Sequence, residues 1–279
     1  MTYAAIDLHK KESQIRIVTE AGEVIDQRIP TRPDALTAVF GAYPRLRVLV
    51  EAATESEWVA QHLEACGHEV IVADPNYTLM YGLRDRRIKT DRRDAAALLE
   101  ACRRGIYRPV HRRSAAHRAV QAQLTVRDTL VRTRTRVIAV VRALTRGAGL
   151  RIPSGHAESF GRRLMALAMP EALRAVLAPL AALLTTLDAQ LATINTHVAA
   201  HAAADPEVQR LQTLPMVGPV TAVAIVAALD SPARFASAGH VTSYLGLVPS
   251  EDSSADRQHR GHLIRSAHPA VRGLLVQLA

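Results

Sequence analysis

Apolar and polar positions change rhythm twice along this chain. Over the first 75 residues the rhythm is short. Residues 3–9 read as a buried strand carrying an acid, Asp7, near its end. Residues 13–19 alternate, with Ile15 and Ile17 set against Gln14 and Arg16, the period-two pattern of a half-buried strand. Ala21-Gly22-Glu23 is a hairpin turn before a return strand over 24–29. Residues 33–42 read as a helix with Asp34 near its start, and 47–51 as a continuous apolar strand that ends in a second acid, Glu51. A helix over 58–65 closes at Gly67, and 69–75 is another buried strand, with Asp74 before Pro75 as a turn residue.

From residue 91 the period lengthens. Asp91 and Asp94 open an apolar helical run over 95–102, and 107–118 is a basic connection broken by Pro109. A long helix is predicted from 114 to about 146, in which Val126, Leu130, Thr133, Val137, Val140 and Leu144 step alternately by four and three, a heptad seam. Residues 147–161, with Pro153, Ser154 and Gly155, read as a loop and hinge. A second seam runs through Leu173, Leu177, Leu180, Leu184, Leu187, Leu191, Ile194 and Val198; Pro179 either kinks that helix or marks where its firm part begins. Two such seams predict an antiparallel helical pair or an intersubunit coiled coil, closed by Asp205-Pro206. Beyond it, Leu214-Pro215-Met216-Val217-Gly218-Pro219 resembles the hairpin of a helix-hairpin-helix motif, where Gly218 would free backbone N–H groups to meet phosphate; a plain helix-breaking turn reads the same residues. Two short helices, a polar basic stretch and a final helix from Pro269 complete the chain.

A three-strand meander followed by strand–helix alternation is α/β in class, with a mixed sheet covered by helices. It is also the strand order of a ribonuclease-H-like fold. The expected architecture is therefore an α/β N-terminal domain over 1–112, a basic helical, coiled-coil arm over 113–205, and an all-α C-terminal domain over 206–279 with a helix-hairpin-helix-like turn.

Composition sharpens the picture through charge. The formal net charge is +9, and only 4% of residues are aromatic. Residues 84–151 hold 19 Lys+Arg against 5 Asp+Glu, so the whole positive excess lies in one central segment. That distribution fits nucleic acid, whose neutralised phosphates release counterions. An anionic membrane surface would call for Trp or Phe on an opposing apolar face. No window reaches the uninterrupted apolar length of a membrane span, and Asp7, His9, Lys10 and Lys11 break up any signal peptide. Cys66 and Cys102 read as reduced core thiols of a cytoplasmic protein.

The candidate chemistry starts at Lys89-Thr90-Asp91-Arg92-Arg93-Asp94-Ala95. Two carboxylates three residues apart share one helix face, and such a pair among arginines suits Mg²⁺ chemistry on a phosphodiester. The same pair also suits a helix N-terminus, with Thr90 or Asp91 as cap. Asp7 within Ala-Ile-Asp-Leu is costly to bury without a cation, and Glu51 ends an apolar strand. Lys89, Arg92 and Arg93, then Arg127, Arg132, Arg134, Arg136 and Arg142 on the long helix, then Arg257, Arg260 and Arg265 near the C-terminus, are the candidate phosphate contacts.

Taken together, Ala5-Ile6-Asp7-Leu8-His9-Lys10, Val50-Glu51-Ala52-Ala53-Thr54, Lys89 to Ala95, the Leu214 hairpin, Tyr244-Leu245-Gly246-Leu247-Val248-Pro249, and Ser254 ahead of Gly261 and Arg272 resemble the DEDD transposases of the insertion sequence 110 family, described as bridge-RNA-guided recombinases. The resemblance implies a RuvC-like N-terminal domain in which Asp7, Glu51, Asp91 and Asp94 bind Mg²⁺, two ions in all. It also implies a C-terminal transposase domain in which Ser254 attacks a DNA phosphodiester and forms a phosphoserine. Double-stranded DNA, a bridge RNA and further copies of the chain, as homodimer or homotetramer, would be its partners, in a cytoplasmic, nucleoid-associated setting without a membrane. Ala255 and Ala267 stand where the family usually has glycine, and Arg265 where it has lysine. Family members commonly continue beyond the point where this chain stops, which implies a shortened C-terminal domain. Ser253 and Ser266 are the rival hydroxyls. A RuvC-type nuclease or junction resolvase using water, and an inactive transposon-derived nucleic-acid-binding protein, are the competing readings.

Overall fold

Alternation of apolar residues sets the first sheet. Strands β1 (Thr2–Leu8), β2 (Glu12–Val18) and β3 (Val24–Pro30) form an antiparallel meander; β4 (Leu46–Glu51) and β5 (Glu69–Ala73) add in parallel on the other side of β1. The order is β3-β2-β1-β4-β5, the mixed order expected of a ribonuclease-H-like sheet. A computed structural model describes residues 1–82, 90–251, 259–264 and 268–277 of the chain. It divides into two compact units, Met1–Arg112 and Arg113–Ala279.

In the first unit both faces of the sheet are buried. Ala4, Ile6, Ile15, Ile17, Val48 and Val50 pack with Leu36 and Phe40 of α1 (Pro33–Phe40) and with Val59 and Leu63 of α2 (Ser56–Ala65). Ala5, Leu49 and Ala73, one residue out of phase, face α3 (Asp91–Arg104) through Leu98, Leu99, Ala101 and Cys102. Burial of roughly 1.5–3 kcal/mol per large apolar side chain holds α3 across the second face. Gly105, at φ 69°, ends α3 in the left-handed turn that favours glycine. Cys102 is a buried free thiol pushed up to about 12 by burial, and Cys66 is free and half-buried.

The second unit is mostly helical: α4 (Ala115–Gly147), α5 (Phe160–Met165), α6 (Glu171–Ala204), α7 (Pro206–Gln212), α8 (Pro219–Leu229), α9 (Ala238–Leu245) and α10 (Pro269–Val276). Helices α4 and α6 lie side by side and antiparallel, because Arg127 Nε meets Asn195 Oδ1 at 2.7 Å and Arg134 meets Asp188 Oδ1 at 3.1 Å. Their ends join two cores. Val120, Leu124, Val198 and Ala202 pack with α7, α8, α9 and α10, while Val141, Phe160, Leu164 and Leu177 pack around α5.

Five expectations are corrected here. The seam of α4 is rotated: the inward row is Val120, Leu124, Arg127, Val131, Arg134, Ile138, Val141 and Thr145; of the expected row Val137 is buried and Leu130 half-buried, while Val126, Val140 and Leu144 are exposed. Pro179 lies inside α6, which begins at Glu171, so the firm helix does not start at the proline, and α5 occupies part of the expected loop. The C-terminal region is not all-α, since β6 (Pro249–Glu251) and β7 (Arg260–Leu263) pair antiparallel. Both strands are short and fully exposed, so no apolar alternation announces them. Finally, α6 is long enough, and apolar enough over part of its length, to cross a membrane by length and composition alone. Its leucine row is already buried on α4 and α5.

Candidate metal centre

The parallel pairing of β1 with β4 ends at Ile6 opposite Val50, so the next residues, Asp7 and Glu51, stand at the ends of adjacent strands. Both fall on the face that α3 covers, in phase with Ala5 and Leu49. Thr90 caps α3 by accepting from Arg93 N at 3.4 Å, and this starts the helix at Asp91. The first turn then carries Asp91 and Asp94, with Asp94 buried. A helix N-terminus is where carboxylates are favoured, so the capping reading and the paired-acid reading describe the same geometry.

The electrostatics show that these acids are neighbours. The Asp7 carboxyl is raised to about 6: burial is the main cause, His9 opposes it, and the charges of Asp94, Asp91 and Glu51 add to the rise. Asp7 is 8% exposed, and its Oδ2 accepts no hydrogen bond. The Tyr81 hydroxyl donates to Glu51 Oε2. Burial first, then that bond and the charges of Glu51, Asp7 and Asp94, hold the phenol well above its ordinary range, so it stays protonated. A buried carboxylate oxygen without a donor, among further acids, is a donor set that fits a divalent cation, because an unpaired buried charge is otherwise expensive.

His9 adds a nitrogen to this set. Its Nε2 lies 3.4 Å from Asp7 Oδ2 and 3.5 Å from Asp91 Oδ1. One ligand atom each from Asp7, His9 and Asp91 lie within 4.8 Å of one another. Sequence reasoning singles out neither His9 nor Tyr81 as a site residue. The one available signal is the position of His9 two residues after Asp7 at a strand end.

The basic candidates divide. Arg92 forks onto Asp26 Oδ2 at 3.1 and 3.0 Å, with its side chain 71% exposed, and Arg93 is exposed. Arg127 and Arg134 are turned into the α4–α6 seam, where Arg134 also reaches Glu158 at 3.1 Å and is 11% exposed. Arg132, Arg136, Arg142 and Arg260 are exposed; Arg132 pairs with Asp128, and Arg142 lies over the Phe160 ring. Gly218 caps α8 at φ −80°, a conformation open to any residue, and there is open space where a side chain would begin. Lys89, Ser254, Arg257 and Arg265, with Ser253 and Ser266, lie outside the described residues. Sequence reasoning also missed a cluster in the second unit: Arg234 stacks on Phe235 and Tyr244, Tyr244 packs on His268, and Arg113 reaches Tyr244 Oη and His268 Nε2 at 3.5 and 3.4 Å.

The profile of the DEDD transposases of the IS110 type matches residues 4–148, the span that contains all four acids, and that of the transposase IS116/IS110/IS902 family matches residues 208–279. The chain belongs to the IS110 family of transposases. Among its relatives, a probable family 20 transposase of Pseudomonas aeruginosa is 30% identical over 97% of this chain and 81% of that protein. The transposase for insertion sequence element IS1111A of Coxiella burnetii is 27% identical over 97% of this transposase and 75% of its own length. The transposase for insertion sequence element IS1328 of Yersinia enterocolitica is 27% identical over 100% and 83%. The second family match covers α8, α9, the β6–β7 hairpin and α10. There a side chain at Gly261 would collide with Ser250 Oγ across the hairpin, and Arg272 donates to the Ile264 carbonyl.

Proposed function

We propose that this transposase cuts and rejoins the DNA of an insertion sequence with two sets of residues. Asp7, Glu51, Asp91 and Asp94 hold Mg²⁺, two ions in all, and Ser254 is the nucleophile. The observation that carries the reading is the convergence of four acids from two strand ends and one helix N-terminus, with Asp7 pushed up to about 6 in their midst. Carboxylate oxygens together with substrate phosphate are the donors Mg²⁺ prefers. Bound there, Mg²⁺ supplies stabilisation of the charge that develops on the phosphodiester and on the departing oxygen.

The residues of the chain do the rest. Asp7 and Glu51 are fixed by strand pairing, and Tyr81 holds Glu51 by its hydroxyl. Asp91 and Asp94 are fixed by the Thr90 cap. Ser254 Oγ forms a bond to phosphorus while the bond to one strand's hydroxyl oxygen breaks. The hydroxyl of the other strand then attacks that phosphorus, and Ser254 leaves with its oxygen. Lys89, Arg92, Arg93, Arg132, Arg136, Arg142, Arg257, Arg260 and Arg265 face phosphate, with the Gly218 turn as a further backbone contact in a helix-hairpin-helix. A bridge RNA directs the choice of site, and dimers or tetramers join the acid domain of one copy to the serine domain of another. The setting is the cytoplasm, at the nucleoid.

The test is a trapping experiment with the full chain, Mg²⁺ and its own insertion-sequence end. A covalent protein–DNA adduct is expected with wild type and not with Ser254→Ala or Asp91→Asn. Cleavage without an adduct would replace the serine step by water and a RuvC-type nuclease. DNA binding without any cleavage would leave a nucleic-acid-binding protein.

A further inference from the structure

We propose that His9 is itself a metal ligand, through Nε2, and that the mixed site it makes with Asp7 and Asp91 prefers a first-row transition ion such as Mn²⁺ over Mg²⁺. The inference rests on the reading that the carboxylates hold a divalent cation and adds the donor that decides which one.

The geometry comes first. His9 Nε2 sits 3.4 Å from Asp7 Oδ2 and 3.5 Å from Asp91 Oδ1, and one ligand atom from each of the three residues lies within 4.8 Å of the other two. In an octahedral shell with bonds of about 2.1 Å, neighbouring donors lie about 3 Å apart and opposite ones about 4.2 Å. His9 Nε2 therefore already stands at the spacing of a neighbouring donor from each carboxylate oxygen, within shifts of a few tenths of an ångström.

Each donor also has a reason to stay where it is. Asp7 Oδ2 is buried and accepts no hydrogen bond. The second oxygen of Asp91 is turned toward Arg28 Nη2 at 3.9 Å, which leaves Oδ1 for the site. His9 follows directly on β1, and its carbonyl accepts from Thr31 Oγ1 at 2.7 Å, a hydroxyl that also meets Ser13 Oγ at 2.7 Å. The backbone under His9 is thus tied to the start of β2 and the end of β3, and its ring, 53% exposed, extends over the strand end rather than into solvent alone.

The chemistry follows from the donor types. Mg²⁺ binds oxygen and gives up water reluctantly. Imidazole nitrogen is a better ligand for first-row transition ions, and at a mixed site their affinity exceeds that of an ion confined to oxygen donors. Mn²⁺ is the member of that series nearest Mg²⁺ in accepting carboxylate and water, so the remaining acids still suit it.

The experiment is Mn²⁺ electron paramagnetic resonance on the full chain, read for hyperfine coupling to a coordinated imidazole nitrogen, with Mn²⁺ and Mg²⁺ titrated calorimetrically alongside. Wild type is expected to show the nitrogen coupling and to bind Mn²⁺ at least about tenfold more tightly than Mg²⁺. His9→Gln is expected to lose the coupling and roughly 10–100-fold in Mn²⁺ affinity, while its Mg²⁺ affinity stays within about threefold. Mn²⁺ bound to wild type without nitrogen coupling, or with coupling that persists in His9→Gln, overturns the role of His9; if Asp91→Asn still abolishes that binding, the carboxylate reading stands. Binding absent from wild type, or unchanged in both Asp7→Asn and Asp91→Asn, brings down the carboxylate reading and the proposal with it.

Discussion

Replacing Asp7 by Asn should stabilise the metal-free protein while abolishing its response to metal. The Asp7 carboxyl is raised from 3.8 to about 6 in the folded state, burial being the main cause. Between those two values the unfolded carboxyl releases its proton while the folded one keeps it, so rising pH favours unfolding. Above about 6 the penalty is constant, and below 3.8 it vanishes. A shift of that size corresponds to at most about 3 kcal/mol at neutral pH. Relaxation around the charge and the amide's own hydrogen-bonding needs reduce the expected gain to about 1–2 kcal/mol, or roughly 4–8 °C in a unit of this size. The assay is calorimetric melting in EDTA at pH 7 and pH 4, repeated with Mg²⁺ or Mn²⁺. Asp7→Asn should melt above wild type at pH 7, with the gap closing at pH 4. Metal at about ten times its dissociation constant should raise wild type by about 1.4 kcal/mol and leave the variant unmoved. A variant that melts below wild type in EDTA at pH 7, or a gap equal at both pH values, would refute the reasoning.

The β6–β7 hairpin offers an independent check on the second unit. Gly261→Ala brings a methyl against the Ser250 hydroxyl on an exposed strand and should cost about 0.5–1.5 kcal/mol as that hydroxyl is turned off its rotamer; adding Ser250→Ala should recover most of it, read by amide exchange in the two strands. The arginines of α4 should separate in the same way. Arg134→Ala removes a side chain only 11% exposed from Asp188 and Glu158, themselves 30% and 71% exposed, and should cost about 1 kcal/mol of stability. Arg136→Ala should leave stability unchanged and lower the salt slope of DNA binding by about 0.9.

The first five strands are legible in the sequence because β1, β2, β4 and β5 carry apolar rows, and the Ala21-Gly22-Glu23 turn announces β3, which buries only Ile29. The same rows bring Asp7 and Glu51 to adjacent strand ends, and the Thr90 cap brings Asp91 and Asp94 to the same face. The seam of α4 is hidden because two of its inward positions are Arg127 and Arg134. Asn195 and Asp188 each accept a hydrogen bond from them across the seam, and apolar periodicity alone does not reveal arginines held inward in this way. The β6–β7 pair escapes for a related reason, since strands of three and four exposed residues carry no alternation to read. His9 lies within a recognisable motif, but its meaning depends on where α3 begins. Only the tertiary placement of Asp91 puts a second carboxylate beside its ring.

If Asp7, Glu51, Asp91 and Asp94 hold metal as one unit, a double-mutant cycle on DNA cleavage will show it. Asp7→Asn and Asp94→Asn should each lower the Mg²⁺-dependent cleavage rate by about a thousandfold or more, and the double variant should be no slower than the worse single one, as for residues that work as a unit. Single variants that cleave near the wild-type rate, or losses that multiply in the double variant, would contradict it.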